Sequence, residues 1–184
     1  MNSLYLAVMS LAFLLGITDA HTGDRWVKLN KGSPVCFLCK NNHPGVFHSK
    51  HSGFMTAVKL VHRSGEIRCG AINNGAKHNS FFGCHMWPGL QKHPMNVVVT
   101  NSQNQIKFPT SGMNVLPGSN PAFWYALDGV NSRSKTIVLQ HSFSHPYYVN
   151  KGQVLKVWYG EDLLNQWEAD NVGRVCVHVY GYFI

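Results

Sequence analysis

The sequence is poor in acidic residues and lacks the short motifs that mark many catalytic sites. It has 8 Asp and Glu against 16 Lys and Arg, which gives a net charge of +8. It contains no Gly-x-Ser-x-Gly elbow, no glycine-rich phosphate loop and no His-Glu-x-x-His pair, so the common signatures of serine hydrolases, nucleotide-binding enzymes and zinc peptidases are absent. The triplet Asn-x-Ser/Thr is absent too, and no N-linked glycan is expected.

Long apolar runs are also scarce, and the one that occurs lies at the start of the sequence. Residues 4–16 are apolar apart from Ser10, and the small residue Ala20 follows shortly afterwards. This pattern is typical of a signal peptide, and the run is too short to span a bilayer comfortably. We expect residues 1–20 to be removed and residues 21–184 to form a single secreted domain. Because Asp19 is lost with the leader, the mature net charge would rise from +8 to +9.

Five cysteines remain in the mature sequence, and an exported protein keeps them in an oxidising environment. We expect one disulfide between Cys69 and Cys84, closing a local loop, and one between Cys36 and Cys176, joining the two ends of the chain. Cys39 would then be free or linked to another chain. The Cys36-x-x-Cys39 spacing also occurs in redox and zinc sites, but neither a second Cys-x-x-Cys nor a strand-to-helix pattern accompanies it.

Extended, β-branched and alternating segments fill most of the sequence, with Gly and Pro between them. Strands are predicted over 54–62, 66–69, 95–100, 135–140, 153–159 and 174–183. The first two flank Ser64-Gly65 and are predicted to form a hairpin. Ile137 and Leu139 should face inward, and alternation puts Val175, Val177 and Val179 on one face of the last strand. One short helical turn is predicted over 163–167. The fold class is therefore all-β, an antiparallel β-sandwich or jelly-roll-like single domain stabilised by disulfides.

Half of the acidic residues lie in one connection between the last two predicted strands. The group of interest, with its neighbouring amide and aromatic residues, is Trp158, Glu161, Asp162, Trp167, Glu168, Asp170 and Asn171. Calcium takes oxygen ligands of this kind, and Glu161, Asp162 and Asp170 are the candidates. Tryptophan faces beside carboxylates also resemble a sugar site, which together with calcium predicts a lectin-like, carbohydrate-binding module. The alternative is that the carboxylates pair with neighbouring Lys and Arg or cap a short helix, because the spacing matches no EF-hand. A glycosidase would need two carboxylates facing each other across a cleft.

The mature terminus gives a third hypothesis. If cleavage follows Ala20, His21 offers an α-amine and an imidazole, and with a second histidine this pair can bind copper, as in lytic polysaccharide monooxygenases. A copper-dependent oxidase would follow. Ten other histidines could supply the second ligand, and a disordered terminal histidine is the plainer interpretation.

Basic residues and histidines are frequent between residues 40 and 93. The basic surface is predicted to include Lys40, Lys50, His51 and Arg63. Strongly basic extracellular proteins tend to bind polyanions. The leading prediction is therefore a non-enzymatic extracellular binding or matrix protein whose basic loops engage acidic glycans or other polyanions. No nucleic-acid partner is expected, and no amphipathic helix is available for membrane insertion.

Three segments resemble a family of secreted domains from cnidarians and other marine invertebrates. They are residues 57–65, residues 155–163 and residues 170–180. The resemblance implies that Cys36, Cys69, Cys84 and Cys176 are the framework cysteines and that Cys39 is peculiar to this member. It implies no catalytic residue.

Overall fold

A computed structural model describes residues 25–70, 76–117 and 123–184, and within these ranges the regular secondary structure is mostly antiparallel β-strand. The predicted signal peptide and His21 lie outside the described residues. The strands are β1 Trp26–Lys28, β2 Val35–Leu38, β3 Gly45–His48, β4 Gly53–Arg68, β5 Asn79–Ser80, β6 Val97–Asn101, β7 Ile106–Phe108, β8 Asn114–Val115, β9 Tyr125–Ala126, β10 Thr136–Gln140, β11 Tyr147–Val149, β12 Val154–Tyr159 and β13 Val172–Phe183. One helix, α1, spans Gly160–Leu164, and a 3-10 turn spans Ala76–His78.

Two main sheets are packed together, which confirms the predicted sandwich. In the seven-stranded sheet, β13 pairs with β1, β2 and β4, and β4 also pairs with β5, β10 and β11. The second sheet has the order β3-β12-β6-β7, and β8 and β9 form a separate small ribbon. Because β2 and β3 follow each other along the chain but belong to different sheets, the loop between them crosses from one layer to the other.

The core lies between the two sheets and follows the alternation of the sequence. Ile137 and Leu139 are buried, as predicted, and so are Val175, Val177 and Val179. Burying such a side chain contributes roughly 1.5–3 kcal/mol, so these strands are held mainly by their inward faces. The last strand is anchored over its whole length because it pairs with three others.

The predicted hairpin around Ser64-Gly65 is wrong, because β4 continues without reversal from Gly53 to Arg68. Cys176 is opposite Ser64 and Val177 is opposite His62, so Arg63 is an extra residue in the ladder, a β-bulge. Gly65 has φ +80°, and a Cβ there would lie 2.0 Å from the Arg174 carbonyl oxygen. The glycine therefore permits a close approach of two strands, where the sequence pattern suggested a turn.

The two disulfides join the pairs that the sequence led us to expect. Cys36 lies opposite Cys176 in the β2–β13 ladder, and their bond ties an edge strand to the centre of the sheet. Cys69 follows β4 and is bonded to Cys84. Cys39 carries a free, buried thiol. Within the described ranges no helix is long and apolar enough to cross a membrane.

Candidate functional site: a tryptophan-lined cleft beside the acidic connection

The acidic connection begins with α1, whose first turn carries two buried carboxyl groups. The predicted helical turn over 163–167 is thus displaced towards the N-terminus, and it ends at Asn165, which has left-handed backbone angles (φ 52°, ψ 44°). Trp167 also has a positive φ of 53°. Trp167 lies in the bend that follows the helix, and its ring is exposed.

Asp162 and Glu168 hold the loop that links the two sheets. The Asp162 carboxylate accepts the backbone N–H groups of Asn42 at 2.6 Å and His43 at 3.1 Å, and the Glu168 carboxylate accepts that of Asn41 at 3.1 Å. Asn41 and Asn42 both have positive φ, an arrangement in which successive N–H groups can point to one side. These acids therefore bind backbone amides, and neither the predicted Lys or Arg partners nor a sugar is needed to explain them.

Glu161 lies at the floor of the cleft described below, with a different set of partners. Its carboxylate accepts the Trp124 indole N–H at 3.2 Å and the Asn171 side-chain amide at 2.7 Å. Its backbone N–H donates to Asn96 Oδ1 at 3.0 Å. Burial raises the pKa of the Glu161 carboxyl to about 7, and its two side-chain hydrogen bonds oppose that rise only in part.

A cleft of about 220 Å³ opens above this carboxylate. Its walls combine three tryptophans, a disulfide, two carboxyl groups and an amide: Cys69, Gly70, Cys84, Trp87, Leu90, Trp124, Glu161, Trp167, Asp170 and Asn171. Trp124 is buried, whereas Trp167 is 64% exposed. The Asp170 carboxylate is exposed and makes no hydrogen bond or ion pair with the described residues. It is therefore the acidic group with free acceptor capacity at the rim.

The structure brings together four of the residues predicted for this site and separates the others. Glu161, Trp167, Asp170 and Asn171 line the cleft. Asp162 and Glu168 turn to the 41–43 backbone. Trp158 does not line the cleft: it is buried on β12, where its ring packs 6.0 Å from the Lys156 ammonium group.

Two tryptophans of the cleft were missed by the sequence analysis. Trp87 is half-buried, and its ring lies 4.9 Å from that of His78. The Cys69–Cys84 bond could have indicated its position, because it brings the segment after Cys84 next to the end of β4. Trp124 lies just before β9, and no sequence pattern distinguishes it.

The predicted metal ligands do not converge. Within the described ranges, no three His, Cys, Asp or Glu side chains are grouped so that they could hold a metal ion. Glu161 and Asp162 point to different partners although they are adjacent in sequence. His21, the candidate copper ligand, lies outside the described residues.

The four residues of the predicted basic surface come from three different parts of the chain. Lys40 lies in the loop held by the acidic connection, and Lys50 lies beyond the opposite end of β3. Arg63 is the bulged residue of β4, where its charge and that of Lys28 act on His178; burial and these two cations lower the pKa of the His178 imidazole. The His51 ring lies 6.4 Å from that of Phe183.

Comparison with known proteins identifies a solved structure that matches most of this chain. No protein-family model and no curated protein matches the sequence. Among solved structures, AJLec from the sea anemone Anthopleura japonica matches with 41% identity and a TM-score of 0.79. The match covers 86% of this chain and 97% of that chain, so it extends over essentially the whole sandwich. It agrees with the resemblance to cnidarian domains, and the protein belongs to the same family as the sea-anemone lectin AJLec.

Proposed function

We propose that this protein is a secreted, non-enzymatic lectin that binds a sugar in the tryptophan-lined cleft. The observation that carries the proposal is the juxtaposition of the exposed Trp167 ring with the unpartnered Asp170 carboxylate, above a floor formed by Trp124, Glu161 and Asn171. Family membership with a lectin supports the same conclusion.

The chemistry of the cleft suits a pyranose ring. A sugar has apolar C–H faces that pack on tryptophan, and hydroxyl groups that donate to carboxylates in strong charge-assisted hydrogen bonds. The cleft of about 220 Å³ is smaller than the roughly 300–1,000 Å³ typical of pockets that enclose a drug-sized ligand. It therefore suits one terminal sugar residue, with the rest of the glycan in solvent.

Binding rather than hydrolysis follows from the state of Glu161. Both of its carboxylate oxygens already accept hydrogen bonds from protein N–H donors, so its orientation is fixed. A glycosidase acid must instead present its proton to the leaving oxygen, opposite a second carboxylate. We expect no release of free sugar when the protein is incubated with oligosaccharides to which it binds.

The test is a glycan array followed by titration calorimetry with the best-binding sugar. Trp167→Ala and Asp170→Asn should each weaken binding by about tenfold or more, because a stacked ring or a charge-assisted hydrogen bond is worth roughly 1–3 kcal/mol. The matched controls are Phe143→Ala, an aromatic ring that is 63% exposed outside the cleft, and Asp128→Asn, an exposed carboxylate elsewhere. Equal affinities in the cleft and control variants would refute the assignment of the site.

The same titration tests the predicted calcium requirement. Binding that is unchanged in EDTA would assign sugar recognition to the side chains of the cleft alone. Binding that is lost in EDTA and recovered on addition of calcium would instead support a metal ligand set in the acidic connection.

A further inference from the structure

A second depression lies on the side of the sandwich where the two sheets approach each other. It is a groove of about 580 Å³ between the edge strands β2 and β3, and it contains none of the residues that line the tryptophan cleft. Val35 and Cys36 line it from one sheet, and Val46, Phe47 and His48 from the other. The strands meet closely at Gly45, where a Cβ would lie 2.6 Å from Val35 Cγ1.

Three lysines from three different connections line this groove. Lys31 comes from the β1–β2 connection, Lys50 from the β3–β4 connection and Lys151 from the β11–β12 connection. All three are exposed, and no lining residue is acidic. Their charges are therefore not neutralised within the groove.

The ammonium groups of several other lysines in the described part of the chain already have a partner. Lys59 and Lys135 lie over aromatic rings, at 4.4 and 4.5 Å from the ring centroids. Lys156 donates to Asn104 Oδ1 at 2.8 Å. Within the same ranges, the ammonium groups of the three groove lysines make no such contact. They remain available to an anionic ligand.

The backbone that carries the groove lysines is fixed by hydrogen bonds. The Gly152 N–H donates to the Ser49 carbonyl at 2.7 Å, and the Lys151 N–H donates to Ser52 Oγ at 2.8 Å, so Lys50 and Lys151 lie on connections joined to each other. The Asn30 side chain donates to the Ser33 carbonyl at 2.7 Å, which closes the turn that carries Lys31. A binding site whose scaffold is already ordered loses less entropy when a ligand binds.

We propose that this groove is a second binding site, for the sulfate and carboxylate groups of an anionic glycan chain. Lysine ammonium groups bind such anions as point charges, and a linear chain gains affinity by releasing its condensed counterions when several of its charges are neutralised together. The apolar floor at Val46 and Phe47 can pack against the sugar rings between the charged groups. This site shares no lining residue with the tryptophan cleft, so a single molecule can bind two glycans of different chemistry.

The test compares two triple variants of the full mature chain. The groove variant carries Lys31→Gln, Lys50→Gln and Lys151→Gln; the control carries Lys77→Gln, Lys92→Gln and Arg174→Gln, three exposed cations outside the groove. Both lower the net charge by three, from +8 to +5 on the full-sequence count, so their total charge is matched. The probe is a heparin oligosaccharide, titrated at several salt concentrations, with its chemically desulfated form as a second ligand.

We expect the groove variant to bind the heparin oligosaccharide roughly tenfold or more weakly than the control variant, with a shallower dependence of affinity on salt. Desulfation should weaken wild-type binding strongly, because only the carboxylates of the oligosaccharide then remain charged. Equal binding by the two variants would overturn the proposal, because attraction would then depend on net charge alone. Binding of inorganic polyphosphate as tight as that of heparin, and lost in the groove variant, would overturn the assignment to a glycan. The sugar that binds in the tryptophan cleft should bind equally well to the wild type, the groove variant and the control variant, which keeps this test separate from that of the cleft.

Discussion

Glu161 shows how the fold perturbs one carboxyl group at the site. It is enclosed by Trp124, Asn171 and the first turn of α1, and burial is the largest cause of its altered titration. Its hydrogen bonds favour the ionised form, but they do not replace the water that the group loses on folding. The charge of Glu161 therefore depends on pH in the neutral range, where an exposed glutamate would remain ionised.

We predict that Glu161 makes stability fall as pH rises. Its pKa is raised from an ordinary 4.5 to about 7, so the folded state binds the proton more tightly than the unfolded state. This contribution is fully present below the unfolded pKa and is lost as pH rises through the folded pKa. Between pH 5 and pH 8 the free energy of unfolding therefore decreases by about 2–3 kcal/mol on account of Glu161.

Urea unfolding of the wild type and of Glu161→Gln at both pH values measures this contribution. The decrease in the free energy of unfolding between pH 5 and pH 8 should be smaller in the variant by about 2–3 kcal/mol, whatever the variant's stability at either pH. Identical pH dependence in the two proteins would contradict the assignment.

At the scale of elements, the long strand β4 organises the larger sheet. It pairs with four strands, and its bulge at Arg63 lets it pair with β13 on both sides of the irregularity. Gly65 follows the bulge in a left-handed conformation, and Gly173 on the opposite strand has φ +115°. Each would bring a Cβ within about 2 Å of a carbonyl oxygen on the neighbouring strand.

We predict that Gly65→Ala destabilises the protein by roughly 2 kcal/mol or more, since it adds both backbone strain and a clash with the Arg174 carbonyl. Gly32→Ala is the matched control, because a Cβ at Gly32 meets nothing within 4 Å. Its effect should stay within about 0.5 kcal/mol. Thermal unfolding of both variants measures these changes in stability. If Gly65→Ala were no less stable than Gly32→Ala, β4 and β13 could move apart at this point at low cost in free energy.

Much of this architecture was predictable because strand alternation is local and strongly patterned. Ile137, Leu139 and the valines of β13 face the core as the sequence indicated. The path of the chain at Ser64-Gly65 was not predictable, because a glycine that turns a chain and one that allows close approach look the same in sequence. The cleft was half predictable: Trp167 and Asp170 lie in the acidic connection, whereas Trp87 and Trp124 join them only through tertiary folding.

At the scale of the whole molecule, the two disulfides differ in the length of chain that they close and in their distance from the cleft. The Cys36–Cys176 bond closes a chain segment with a sequence separation of 140, whereas the Cys69–Cys84 bond closes one of 15 and also lines the cleft. In the chain-entropy model the longer loop is worth about 5 kcal/mol and the shorter about 3 kcal/mol. Stability and sugar binding should therefore respond differently to the loss of each bond.

We predict that Cys36→Ser combined with Cys176→Ser lowers stability by about 3–5 kcal/mol and leaves the sugar affinity of the folded fraction unchanged. Cys69→Ser combined with Cys84→Ser should cost less stability but weaken binding, because that bond forms part of the cleft wall. Denaturant titration gives the first quantity and calorimetry below the unfolding midpoint gives the second. The prediction would be contradicted if only the variant without the Cys36–Cys176 bond bound the sugar more weakly than the wild type.

The fifth cysteine, Cys39, is relevant to how the two native disulfides form and persist. Cys39 follows β2 and is covered by the acidic connection, with its thiol directed to the Gly173 carbonyl. Burial raises the pKa of that thiol to about 12. Disulfide exchange proceeds through the thiolate, and Cys39 is only three residues from Cys36. With the 41–43 loop closed by Asp162, the Cys39 thiol is buried and held in its protonated form, which slows its attack on the neighbouring Cys36–Cys176 disulfide.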